Sequence, residues 1–395
     1  MTENARKIPA PLQAIWGALT SLKLTIVCLA GLMVLVMACT LAQVSLGTWG
    51  AVAAYMRPWI VWWHLPASTI VLPVFPGGAL IGAVLMVNLA LTGIRYLEGK
   101  RRKIGLMLVH AGLVIFFVGE FVSAIYQVDT RLAVEIGQTV NFVESPRENE
   151  LTITDTTDPA ADEVFGLPEH LLARADTIAV PGTPLTIKVK KFMQNADLAN
   201  RGPSDPPSLA TIGVGTQVTV REKPGVTNDD LQNQVTAFVE PVGGGVSYGT
   251  WLVSNVLGSP QSFTHEGHTY TIAMRPRRWY LPYSVTLKEF RHEVYPGTDI
   301  PKNFASLIQL RDAGAKQDRE VLIFMNQPLR YAGRTFYQAS FGKQDTLSVL
   351  QVVENPGWLM PYIACGLVTI GLLVHFGISL RRALKKRAAV TEATA

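Results

Sequence analysis

Four apolar blocks, each about as long as the ~20 residues needed to cross a hydrocarbon core, limit what this chain can become. They run over about 22–44, 77–96, 104–126 and 357–380. Because apolar residues gather in blocks instead of recurring with amphipathic spacing, a content of 48% hydrophobic and 16% charged residues describes a membrane protein rather than a soluble enzyme. The first block is not read as a cleaved signal peptide: its apolar run exceeds a typical h-region, and no convincing small-residue cleavage pattern follows.

Basic residues set the expected orientation. Arg6, Lys7 and Lys23 flank the first block; Arg95, Lys100, Arg101, Arg102 and Lys103 fill the connection between the second and third; Arg381, Arg382, Lys385, Lys386 and Arg387 follow the fourth. All three clusters belong on one side. The expected layout is therefore a cytoplasmic N-terminus (1–21), a membrane domain (22–126) with a short outer loop (45–76), a large outer domain (127–356), the fourth span, and a cytoplasmic tail (381–395) disordered after Arg387. The net charge of +5 then reflects topology, and no basic patch with interleaved aromatics points to nucleic acid.

The outer domain reads as β-rich. Alternating or β-branched runs occur at Leu185 to Lys190, Gln217 to Arg221, Gln234 to Val239, Thr269 to Met274, Val285 to Phe290, Ser306 to Arg311, Val321 to Met325 and Leu347 to Val353, separated by Pro, Gly and Asn. Asn195 to Pro207 and Lys223 to Asp230 read as mobile loops. The predicted fold class is an integral membrane α-helical protein with four transmembrane helices and a large β-rich extracytoplasmic domain between helices 3 and 4.

Some chemistries are excluded. Cys28, Cys39 and Cys365 all fall within predicted spans, so the outer domain holds neither a disulfide nor a CxxC redox pair. No Rossmann fingerprint, P-loop or nucleophile elbow is present.

His110 and His375 are the candidate site residues. Lys103 to His110 is seven residues and His375 to Arg381 is six, which puts both imidazoles ~9 to 10 Å from a basic end at ~1.5 Å per residue. Ionisable groups at such depth are costly, so function is the default reading, and two histidines facing each other across a bundle would serve as axial ligands of a haem b iron. Gly371, one turn before His375, leaves room beside that imidazole. Gly105, Gly112 and Gly119 recur every seven residues as a small-residue packing seam. At 100° per residue His110 points ~140 to 160° away from it, so a seam packed inside the subunit turns His110 toward a partner or a haem cleft. Glu120 reads as an interfacial side chain and Asn88 as a bond to a neighbouring helix.

The outer histidines carry less. His265 and His268 stand three apart in a glycine-containing hairpin with no third metal ligand in evidence and read as an exposed turn. His292 is a weaker candidate for guiding haem or apocytochrome, as are His170 and His64; the latter adjoins Trp62 and Trp63 in an expected interfacial belt.

The run Phe324-Met325-Asn326-Gln327-Pro328-Leu329-Arg330-Tyr331-Ala332-Gly333-Arg334-Thr335-Phe336-Tyr337-Gln338-Ala339-Ser340 resembles the signature of the ResB family of cytochrome c biogenesis proteins. Leu281-Pro282-Tyr283 leading to Phe290, then Tyr295-Pro296-Gly297-Thr298 with Pro301 and Ser306, is similar to the block that precedes it in that family. The resemblance implies three spans, an outer β-rich domain and a closing span, with a histidine in the third span, here His110. It also implies a subunit of the system II cytochrome c maturation complex. With a ResC/CcsA-type membrane partner, such a subunit delivers haem across the membrane for covalent attachment to apocytochrome c.

The tryptophan-rich haem-handling signature belongs to that partner. Here Trp59, Trp62, Trp63 and His64 are followed by no WxWD-type sequence, so the chain is not expected to be a complete enzyme alone. The second axial ligand is left open between His375 and the partner. Two rival readings are a membrane b-type cytochrome in quinone-linked electron transfer and a non-enzymatic membrane scaffold or sensor. A single haem depth argues against the first, because crossing ~30 Å of hydrocarbon calls for a second centre. The 15-residue tail after Leu380 is too short for a sensor's output domain.

Overall fold

The computed structural model describes residues 10–64, 71–97, 104–226, 232–298 and 301–394. Two units emerge: a helical one drawn from Met1–Gln127 and Asn355–Ala395, and a β-rich one drawn from Val128–Val226 and Asp230–Glu354.

The helical unit holds α1 (Ala10–Leu19), α2 (Leu22–Tyr55), α3 (Gly78–Leu97) and α4 (Ile104–Tyr126). The single turn α5 (Glu169–Leu172) belongs to the other unit, and α6 (Met360–Thr394) closes the chain. Among the described residues α2, α4 and α6 are long and apolar enough to cross a membrane, while α3 is apolar over the shorter Gly78–Ile94. Ser21 caps α2, its hydroxyl accepting the Lys23 N–H at 3.2 Å.

Two expected boundaries move. The sequence suggests a loop from residue 45, but the helix runs on to Tyr55. Gly47 takes φ 68° and kinks the helix without ending it, because the residues that follow, Ala51, Ala53 and Ala54 among them, are helix formers. The rest of the expected 45–76 loop holds an antiparallel hairpin of Ile60–His64 and Val71–Pro76. The tail expected to be disordered is helical to Thr394, since Arg, Ala, Leu and Lys after Leu380 all favour continued helix.

Asn88 bonds its neighbours as expected. Its Nδ2 donates to the Leu19 carbonyl at 2.6 Å, one of the orphan carbonyls at the end of α1, and its Oδ1 accepts the Thr25 hydroxyl at 2.7 Å. Asn355 plays a similar part before α6, donating to Ser123 Oγ of α4 at 2.9 Å while its own Oδ1 accepts the Gly357 N–H.

The β-rich unit is built on a ten-stranded sheet whose ladders are antiparallel. The order along it is Gln317–Phe324, Pro301–Asp312, His268–Val294, Thr139–Asp155, Val128–Glu135, Leu347–Glu354, Arg334–Gly342 and Leu329–Tyr331, with Gln261–His265 and Glu163–Pro168 pairing off this path. A five-stranded sheet centres on Thr236–Gly243 and Leu185–Met193. Ala196–Asn200 pairs with Val218–Glu222, so the segment expected as a loop from Asn195 contains a strand.

Two cores form here. One gathers Leu151, Ile153, Leu185, Ile187, Val239, Ile272 and Met274. The other gathers Leu132, Val134, Val285, Leu287, Ile308, Phe336, Leu350 and Val352. Thr139–Asp155 and His268–Val294 contribute to both, so the two cores share a long paired ribbon. At the crossing Pro276 has no N–H for the ladder and the register shifts beside it. Ion pairs take over there: Arg275 with Glu150 at 3.1 Å, Arg277 with Glu148 at 3.0 Å and Arg278 with Glu144 at 2.8 Å.

Candidate functional site

The glycine seam decides where the histidines of α4 and α6 point. Gly105, Gly112 and Gly119 of α4 are buried against α6: a Cβ on Gly105 would lie 2.7 Å from both the Gly371 carbonyl oxygen and the His375 amide nitrogen. One on Gly112 would lie 2.8 Å from Val368 Cγ2, and one on Gly119 2.7 Å from Met360 Cβ. His110 leaves α4 on the far side and stands beside α3, where a Cβ on Gly93 would be 3.5 Å from the His110 Cβ.

His110 is half-buried, and its Nδ1 lies 2.8 Å from the Leu106 carbonyl oxygen. A carbonyl only accepts, so the Nδ1–H donates and the ring lone pair resides on Nε2. A backbone carbonyl that fixes the tautomer and orients the ring is the usual outer contact of a metal-binding imidazole. A neutral imidazole of this tautomer is the form an iron ligand takes.

His375 fits the same iron poorly. Its backbone nitrogen and Cβ press on Gly105, its ring meets Phe376 edge-on at 5.6 Å, and the body of α4 separates it from the face that carries His110. Since His375 is level with Gly105, His110 lies five residues or ~7.5 Å farther along α4. The two imidazoles therefore lie on opposite sides of α4 and at different levels along it, and the structure does not bring them together.

Three histidines of the β-rich unit, His265, His268 and His292, are tied to protein partners. His265 is not in an exposed turn: it is 3% exposed, with Nδ1 2.5 Å from the Tyr248 hydroxyl. Gly243 makes room for it, since a Cβ there would come within 2.7 Å of the imidazole. His268, across the Glu266-Gly267 turn, is exposed and bonds Asp155 at 2.8 Å. The Thr157 hydroxyl, with smaller help from His268, holds the Asp155 carboxyl below its ordinary range. His292 lies 3.2 Å from Asp345 and packs on Phe341 at 4.4 Å. His170 is exposed on α5, and the side chain of His64 lies outside the described residues. Among the described residues no three His, Cys, Asp or Glu side chains gather to hold a metal ion.

The Phe324 to Ser340 run folds as an edge element of the large sheet. Asn326 (φ 66°) and Ala332-Gly333 (φ 48° and 77°) form its turns, and Leu329 and Phe336 enter the core. Tyr331 donates its hydroxyl to Asp312 at 2.7 Å and meets Tyr283 edge-on at 5.0 Å. Met325, Arg330 and Tyr337 remain exposed.

Residues 248–349, which contain this run and most of the second core, match the ResB-like family. That segment, about a quarter of the chain, is similar to the ResB-like family. Protein NrfI of Wolinella succinogenes is 34% identical over 102 residues, which amount to 26% of this chain and 11% of that protein. The match thus spans about a tenth of the relative's length. One feature of the site is not apparent in the sequence: Gly93, small where α3 passes His110, is signalled by nothing but its residue type.

Proposed function

We propose that this chain is a membrane subunit in cytochrome c biogenesis which holds haem at His110 and passes it to a ResC/CcsA-type partner for attachment to apocytochrome c. The similarity of residues 248–349 to the ResB-like family supports the biogenesis role. The observation that carries haem handling is the His110 Nδ1 bond to Leu106, on a helix face turned away from α6. Haem is the cargo here, and the chemistry it brings is an iron that accepts imidazole nitrogen.

The protein's own contribution is positional. Leu106 fixes the imidazole tautomer, α3 passes close at Gly93, and the seam locks α4 so that His110 keeps its heading. The placement of His375 across α4 supports a second ligand from the partner polypeptide. In this reading α3 also crosses, giving four spans with both termini cytoplasmic and the β-rich unit on the outer face.

The test is the absorption spectrum of the detergent-purified protein, oxidised and dithionite-reduced, with and without the partner. Expected is a b-type spectrum that disappears in His110→Ala and persists in His375→Ala. Retention of the spectrum in His110→Ala, or no haem in any preparation, refutes the haem role.

A further inference from the structure

Helix α6 spans 35 residues, about 52 Å, whereas a hydrocarbon core takes up ~30 Å. Its apolar run ends at Leu380, so about 20 Å of continuous helix extends past it. Arg381, Arg382, Lys385, Lys386 and Arg387 lie on that extension, all exposed, and no Asp or Glu occurs on α6 before Glu392. At 100° per residue the first four fall within an arc of roughly 140°. None of the five forms an ion pair among the described residues. The β-rich unit treats its cations differently, matching Lys190 with Glu240, Arg275 with Glu150, Arg278 with Glu144 and Lys288 with Glu320.

We propose that Arg381, Arg382, Lys385 and Lys386 form a binding site for anionic phospholipid head groups in the leaflet where α6 leaves the hydrocarbon. Charge complementarity and position both favour a lipid occupant. The cluster begins at the first residue after the apolar run, and Lys385 is only ~7.5 Å along the helix from Leu380, inside the ~8 Å Debye length at physiological salt. Long Lys and Arg stems let the charged ends lean back to the head-group plane. A cation held near such a surface contributes about 1 kcal/mol, or fivefold in affinity. The site is independent of haem.

The experiment uses the full chain in detergent, titrated with phosphatidylglycerol or with phosphatidylcholine of the same acyl chains, with retained lipid counted by native mass spectrometry. Phosphatidylglycerol is expected to bind at least tenfold more tightly, with the preference falling as salt rises. The Arg381→Gln/Arg382→Gln/Lys385→Gln/Lys386→Gln variant is expected to lose the preference. Equal retention of both lipids, or a preference untouched by salt, overturns the proposal. The salt titration of the unaltered protein separates these outcomes even where the variant fails to fold.

Discussion

Substitution of Gly105 by alanine adds one methyl group at the tightest point between α4 and α6. The new Cβ would sit 2.7 Å from the Gly371 oxygen, 2.7 Å from the His375 nitrogen and 2.8 Å from the His375 Cβ, whereas ordinary contact starts near 3.4 Å. Two of the three are backbone atoms, so no side-chain rotation relieves the clash, and the helices must part locally by roughly 0.7 Å. A gap of about 0.5–1 Å forfeits a quarter to a half of the dispersion attraction between the atoms it separates. Overpacking of this kind costs about 1–3 kcal/mol, offset by about 0.5–1 kcal/mol because alanine is the better helix former. The net expectation is a loss of up to about 2 kcal/mol, some thirtyfold in the folding equilibrium. Gly366→Ala, on the same helix as Gly371 with nothing within 4 Å of its new methyl, serves as the control and is expected to be neutral or slightly stabilising. Thermal unfolding of both variants in one detergent reads the difference. Equal midpoints for Gly105→Ala and Gly366→Ala would refute the close-packed seam.

Two further predictions concern the β-rich unit. Tyr248→Phe removes the hydroxyl from His265 Nδ1 and leaves a buried ring nitrogen without that partner, which is expected to cost about 1–3 kcal/mol; an unchanged urea midpoint would count against the pair. Acid is expected to weaken the unit. Asp155 is held low chiefly by the Thr157 hydroxyl, Asp205 by the Gly202 amide, Asp312 by the Ala315 amide, Asp318 by the Gln309 amide and Glu240 by Lys190. Depressed carboxylates stabilise above their unfolded values near pH 4, and that contribution is lost as pH falls through their folded values. Glu169 works in the opposite sense, since burial raises it and its share is lost as pH rises through that raised value. A midpoint of thermal unfolding that climbs as pH drops below about 4 would show that the five depressed groups do not dominate.

The long apolar helices were legible because hydrocarbon thickness writes itself into the length of an apolar run, whereas α1, which lies before the first such run, was not. Eight strand runs were legible from alternation, and two of them, Thr269 to Met274 and Val285 to Phe290, proved to be parts of the one strand His268–Val294. Thr139–Asp155 was not visible. Its centre, Ser145-Pro146-Arg147-Glu148-Asn149-Glu150, carries the polar and proline residues of a turn, and it remains a strand because Arg275, Arg277 and Arg278 on the opposing strand supply ion pairs where apolar side chains are absent. The heading of His110 followed from the heptad of glycines. The place of His375 did not, because residue counts to the nearest basic cluster fix no register between two helices; the contact of Gly371 with Gly105 fixes it.

The pairing of Val128–Glu135 with Leu347–Glu354 has a consequence for synthesis. Val128 is made early and cannot complete its ladder until Glu354, its partner, has been translated. Until then Leu132 and Val134, fully buried in the finished unit, have no opposing strand on that side. Closure over so long a loop is slow, and an open strand edge invites wrong partners. The nascent chain thus passes through a vulnerable interval whose length is set by translation of nearly the whole β-rich unit, and a holding chaperone would raise the yield of folded protein more than any change within the helices.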